Sequence, residues 1–126
     1  MIVAIGIDIV EIARIEEIFR RRGERFRRRV FTESEIEYCE RRASKVASYA
    51  ARFAAKEAVM KALGTGWAEG VGWCDIEIIR AESGAPIIKL HGRALERMHE
   101  LGAARVHASL THSRDIAMAQ VILESD

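Results

Sequence analysis

Residues 44–64 read SKVASYAARFAAKEAVMKALG, the longest regular element the chain encodes. Val46, Tyr49, Phe53, Met60 and Leu63 recur at helical spacing and make one apolar stripe, and Gly64 supplies the stop. Alanines at 47, 50, 51, 54, 55, 58 and 62 let neighbouring segments come close to the backbone of this predicted helix. A first strand is predicted over residues 2–10. Bulky Val3, Ile5, Ile7 and Ile9 occupy one face, and small Ala4 and Gly6 lead to Asp8 on the other. Something must pack very close to that second face.

Outward from these two elements, residues 11–22 predict a helix carrying Ile12, Ile15, Ile18 and Phe19, ended by Gly23 in a left-handed conformation. Thr32 and Glu35 form a capping box that starts another helix, to about Arg41. The second half switches to a period of two. Residues 74–80 and 86–90 read as strands joined across Glu82-Ser83-Gly84-Ala85. A short helix over 92–101 stops at Gly102, and Val106, Ala108 and Leu110 then alternate with His107, Ser109 and Thr111. A tight 112–115 connection returns the chain through 116–123. These elements predict an α+β fold, one domain over residues 1–126, with a mostly antiparallel sheet packed with the long central helix.

Composition narrows the function. With 126 residues, 49% of them hydrophobic, the chain can bury a core without staples. Cys39 and Cys74 have neither CxxC spacing nor nearby histidines, which argues for reduced, structural thiols and against a zinc site. Asp8 breaks the first apolar run after six residues, too soon for a signal peptide or a membrane span, so a cytoplasmic protein is expected. The net charge is only +1, yet residues 20–29 hold seven arginines against the single Glu24. That field attracts an acidic partner. Nucleic acid fits poorly, because Phe26 is the only aromatic in the cluster and the pI is 7.9. An acidic helical protein fits better.

Two carboxylates stand where charge is costly. Asp8 lies in a buried strand, and burying an ionised carboxylate costs several kcal/mol unless a cation or several donors compensate. An arginine such as Arg14 could supply the cation. Glu57 lies on the Ala-rich helix beside Lys56 and four residues before Lys61, and an ordinary Glu57–Lys61 helix pair is the plain alternative. Two of only four lysines fall here in a chain that otherwise uses sixteen arginines, which suggests point charges meeting phosphate oxygens. Together the carboxylates suggest a magnesium site, since that ion takes one or two carboxylates and leaves the rest to water and phosphate. Gly64-Thr65-Gly66 could approach a phosphate, although a helix C-terminus disfavours anions and no Walker motif is present. His107, Ser109 and Thr111, with His112 at the turn, offer a polar strand face for a ligand.

These segments share one pattern. Residues 6–14, GIDIVEIAR, resemble the N-terminal signature of the holo-acyl-carrier-protein synthases, the short phosphopantetheinyl transferases. RFAAKEA at 52–58, continuing through Lys61 to Gly66, resembles their central helix motif, and Ser109-Leu110-Thr111-His112 resembles their late strand. The resemblance spans essentially the whole chain and implies the 4′-phosphopantetheinyl transferase fold. It also implies transfer of 4′-phosphopantetheine from coenzyme A to a serine of an apo acyl carrier protein, releasing 3′,5′-ADP. By the same resemblance Asp8 and Glu57 hold magnesium, and Lys61 stabilises charge on the leaving phosphate. Arg52, Lys56, Lys61, Gly64, Ser83, Gly84, Pro86 and His107 would meet coenzyme A. Arg14, Arg21, Arg25 and Arg28 would meet the acidic helix of the carrier. Relatives of this group form homotrimers with active sites between subunits. The proton acceptor is left open between Glu57 and a water that Glu57 orients. Two rivals stand beside this reading: a basic adaptor that docks acidic helices or RNA, and a small magnesium-dependent phosphohydrolase that needs no carrier.

Overall fold

The computed structural model describes residues 1–64 and 69–126. β1 (Ile2–Glu11) leads into α1 (Ile12–Val30), α2 (Glu33–Glu40) and the long α3 (Lys45–Leu63). A 3-10 turn at Trp73–Asp75 precedes β2 (Ile76–Arg80) and β3 (Pro86–Leu90). α4 (Gly92–Glu100), β4 (Arg105–His112) and β5 (Ile116–Glu124) complete the order. Every strand pairing is antiparallel, but the strands form two sheets among the described residues: β1-β5-β4 and the β2-β3 hairpin.

α3 is the centre. Ala50, Ala54, Ala55 and Ala58 are fully buried, and α3 packs against both β1 and β5. The reason is the small face of β1. A Cβ built on Gly6 would sit 1.9 Å from the backbone oxygen of Ala58, so the strand and the helix touch main chain to main chain. β5 continues that surface with buried Ala117, Ala119, Val121 and Leu123. The bulky face of β1 points the other way, leaving Ile5, Ile7 and Ile9 each more than half exposed (55, 53 and 56%).

Two boundaries differ from the sequence expectation. Gly23 does not end α1. It takes φ 47° and ψ −120°, a conformation open chiefly to glycine, and the chain kinks there and continues helically to Val30. The continuation gains by setting Phe26 edge-to-face with Phe19 at 5.2 Å and with Phe31 at 5.9 Å. The strand expected from Cys74 begins only at Ile76, because Asp75 turns back to accept from the Gly72 amide at 3.0 Å. The Thr32–Glu35 capping box is present.

Candidate active site

The close β1–α3 contact carries Asp8 to the helix side of the sheet, with its side chain only 15% exposed. Lys61, in the last turn of α3, donates to Asp8 Oδ1 at 2.9 Å and to the Ile7 carbonyl at 3.0 Å. Asp8 therefore takes its cation from Lys61 rather than Arg14, and Lys61 turns away from the helix pair with Glu57. Glu57 forms no ion pair among the described residues. Its carboxyl is pushed above the ordinary range, first by burial and then by the Asp8 charge, with Lys61 and Arg14 partly opposing.

No group of three or more His, Cys, Asp or Glu side chains among the described residues could hold a metal. What the chain offers is two carboxylates whose mutual repulsion a divalent cation would relieve. That donor set fits magnesium, which completes its shell with water and phosphate, and does not fit zinc.

The residues expected at coenzyme A do not gather in one place. Gly64 caps α3 in the left-handed region (φ 70°), one turn beyond Lys61. Arg97 of α4 donates to the Leu63 carbonyl at 3.0 Å, so a cation offsets the unfavourable dipole of this helix end. Thr65 and Gly66 lie outside the described residues. Arg52 is on another side of α3, about 140° around the helix from Glu57. Its guanidinium lies over the Tyr38 ring at 4.1 Å, with those of Arg42 and Arg80 each at 5.3 Å. The buried Arg52 Nε has no hydrogen-bond partner among the described residues. Arg80 donates to the Gly84 carbonyl, and Pro86 opens β3 opposite Arg80, so the Ser83–Pro86 turn adjoins this second basic cluster. His107 is on the outward face of the sheet, opposite the face that carries Asp8. It bonds Glu124 at 2.8 Å and, ahead of Arg105, pulls that carboxyl down to about 2.

Lys56 is a correction. Its side chain has no exposed surface, and its ammonium is spent on the Trp73 and Ile76 carbonyls and on Glu35. It points into the core, so it cannot meet a phosphate. Helical spacing alone could not separate it from Lys61, because the deciding partner, Glu35, lies 21 positions away.

The arginine cluster makes a groove. Arg14, Arg21, Arg22 and Arg25 line a cavity of about 570 Å³ between α1 and the end of the core. Its floor is apolar, built from Ile18, Phe26, Phe53 and Trp73, with Phe53 stacked on Trp73 at 5.2 Å. Arg28 is turned away from the groove and pairs with Glu24 and Glu33. Arg29 lines the groove as well. Arg42, Arg80 and Arg97 were not marked by any sequence pattern, since each acts from the end of a strand or helix rather than within a motif.

The comparisons with known proteins give the class to which this fold belongs, a transferase. Residues 4–120 match the model of the 4′-phosphopantetheinyl transferase superfamily, and the chain belongs to that family. Among its relatives, the holo-[acyl-carrier-protein] synthase of Solibacter usitatus is 47% identical, covering 99% of this chain and 100% of the relative. That of Nitratidesulfovibrio vulgaris (strain DP4) is 54% identical over the same shares. The crystal structure of the Neisseria meningitidis holo-[acyl-carrier-protein] synthase superposes with a TM-score of 0.88 at 36% identity, covering 99% of this chain and all of that one. The Helicobacter pylori synthase in complex with coenzyme A gives 0.81 at 37% identity, covering 95% and 99%. This chain is a transferase with their fold.

Proposed function

We propose that this transferase moves 4′-phosphopantetheine from coenzyme A to a serine of an apo acyl carrier protein, with magnesium held by Asp8 and Glu57. The observation that carries the reading is the close-set carboxylate pair, with Lys61 tethered beside it. A bound magnesium ion would supply charge neutralisation and alignment at the pyrophosphate. The serine oxygen attacks the β-phosphorus, the bond to 3′,5′-ADP breaks, and the serine proton passes to Glu57 directly or through one water. In the metal-free protein burial and the Asp8 charge raise the Glu57 pKa, and a bound cation would oppose that rise. Lys61 is more than half exposed and holds its charge beside Asp8, where the leaving phosphate develops negative charge. No helix among the described residues is long and apolar enough to cross a membrane, which fits a cytoplasmic enzyme.

The test is the intact mass of an apo carrier after incubation with the protein, coenzyme A and magnesium. A gain of one phosphopantetheine is expected. No gain on any apo carrier tried contradicts the reading, and release of 3′,5′-ADP without a carrier favours the phosphohydrolase rival.

The groove supports an acidic helix with an apolar side chain as its occupant. Arg21→Glu/Arg25→Glu is expected to raise the carrier KM by about 30-fold, with the KM for coenzyme A unchanged, measured by steady-state kinetics at two salt concentrations.

A homotrimer with shared sites accounts for two further features. Ile5, Ile7 and Ile9, backed by Met118 and Ile122 of β5, leave an apolar sheet face uncovered. The groups suited to coenzyme A are split between different faces of one chain. A neighbouring subunit that brings His107 and the Ser83–Pro86 turn to Asp8 and Glu57 resolves both, whereas Arg52, only 2% exposed, stays inside its own subunit. Ile7→Asp is expected to yield monomers in sedimentation analysis and to lower activity by about a hundredfold. A monomeric wild type contradicts the shared site.

A further inference from the structure

Lys56 and Glu35 are charged, have no exposed surface and take no part in the chemistry above. Lys56 Nζ donates to the Trp73 carbonyl at 3.0 Å and to the Ile76 carbonyl, and it meets Glu35 Oε1 at 2.9 Å. An ammonium has three donors, and all three are engaged. Glu35 in turn accepts from the Thr32 amide at 2.8 Å and from the Ile78 amide at 2.8 Å. One buried ion pair therefore ties α3 to the start of α2, to the 3-10 turn and to β2.

The position of this clamp along α3 matters. Glu57 lies between Lys56, pinned to the hairpin side, and Ala58, whose carbonyl abuts Gly6 of β1. Successive helical residues turn by about 100°, so fixing both neighbours fixes the direction in which the Glu57 carboxylate leaves the helix. The same ammonium holds the carbonyl of Trp73, whose ring stacks on Phe53 in the groove floor. The spacing between the groove and the carboxylate pair is set through one side chain.

We infer that Lys56 is a positioning residue: through α3 and Trp73 it holds Glu57 toward Asp8 and the groove floor at a fixed spacing, and it makes no contact with coenzyme A. The catalytic part of this inference rests on the transferase reading, and the structural part does not.

The experiment compares Glu35→Gln, Lys56→Met and Glu35→Gln/Lys56→Met with the wild type. It reads the melting temperature, calorimetric affinity for 3′,5′-ADP, and KM and kcat with coenzyme A and an apo carrier. Lys56→Met, which strands the Glu35 charge in the core, is expected to melt lowest, and the double variant to recover most of the loss. In the folded double variant, which loses the Lys56 bonds to the Trp73 and Ile76 carbonyls, kcat is expected to fall at least about tenfold and the carrier KM to rise. The 3′,5′-ADP affinity and the coenzyme A KM should stay within about twofold of wild type. Loss of 3′,5′-ADP affinity by about tenfold in the folded double variant would make Lys56 a ligand and overturn the inference. Unchanged kcat and carrier KM would overturn it too, leaving Lys56 merely structural. If the wild type modifies no carrier, the transferase reading fails on its own. In that case a melting temperature unchanged in Lys56→Met overturns the clamp.

Discussion

Glu57→Gln is expected to cut carrier modification by about a thousandfold, or ~4 kcal/mol of transition-state stabilisation, while the metal-free protein melts slightly higher. The loss is what the proposed roles of Glu57 require, since it would hold the metal with Asp8 and receive the serine proton. The gain follows from the Glu57 pKa, which burial and the Asp8 charge raise in the folded state. A carboxyl whose folded pKa lies above its unfolded value binds protons more tightly when folded, so its charged form destabilises the fold at neutral pH. A neutral amide lacks that penalty. Because the side chain is partly solvated, the gain is discounted to ~0.5 kcal/mol, or about 2 °C in melting temperature. Calorimetry at a series of pH values checks the sign. The gap between variant and wild type should be widest near neutrality and close as pH falls below the ordinary carboxylate range. A gap of opposite sign contradicts the assigned environment.

Gly6→Ala is expected to destabilise the protein by about 3 kcal/mol, the upper end of overpacking costs. The added methyl would lie 1.9 Å from the Ala58 oxygen, 2.9 Å from the Ala58 carbonyl carbon and 3.0 Å from the Ala62 nitrogen. All three are backbone atoms, which cannot rotate aside, so β1 and α3 must separate. Trimming Ala58 or Ala62 to glycine should therefore fail to rescue the variant, and activity should fall with stability because separation moves Asp8 away from Glu57. Urea unfolding of the single and double variants measures this. Rescue by Ala58→Gly would contradict a main-chain contact.

Those two residues show what the sequence makes legible. The small face of β1 and the alanines of α3 announce close approach, and the alternation of β4 with the tight 112–115 connection announces its pairing with β5, because local pattern carries that information directly. Asp8 and Glu57 were legible as misplaced charges and through their motifs. The burial of Lys56 is not legible, because it depends on Glu35, brought to it only by folding. The course of the second half of α1 is not legible, because Gly23 marks a break without stating the angle of its kink. Helical spacing already sets Arg52 about 140° from Glu57, but the cluster of Tyr38, Arg42 and Arg80 around Arg52 is invisible in sequence, since folding alone brings those residues together.

The most direct test of the magnesium-site reading is manganese binding, followed by water-proton relaxation, in wild type and Asp8→Asn with coenzyme A present. Manganese serves as a paramagnetic stand-in for the hard, oxygen-ligated ion. One manganese per active site in the wild type, with affinity weakened by about a hundredfold in a folded Asp8→Asn variant, is the expected result. Equal manganese binding by both proteins would contradict it, and would remove Asp8 from the metal site.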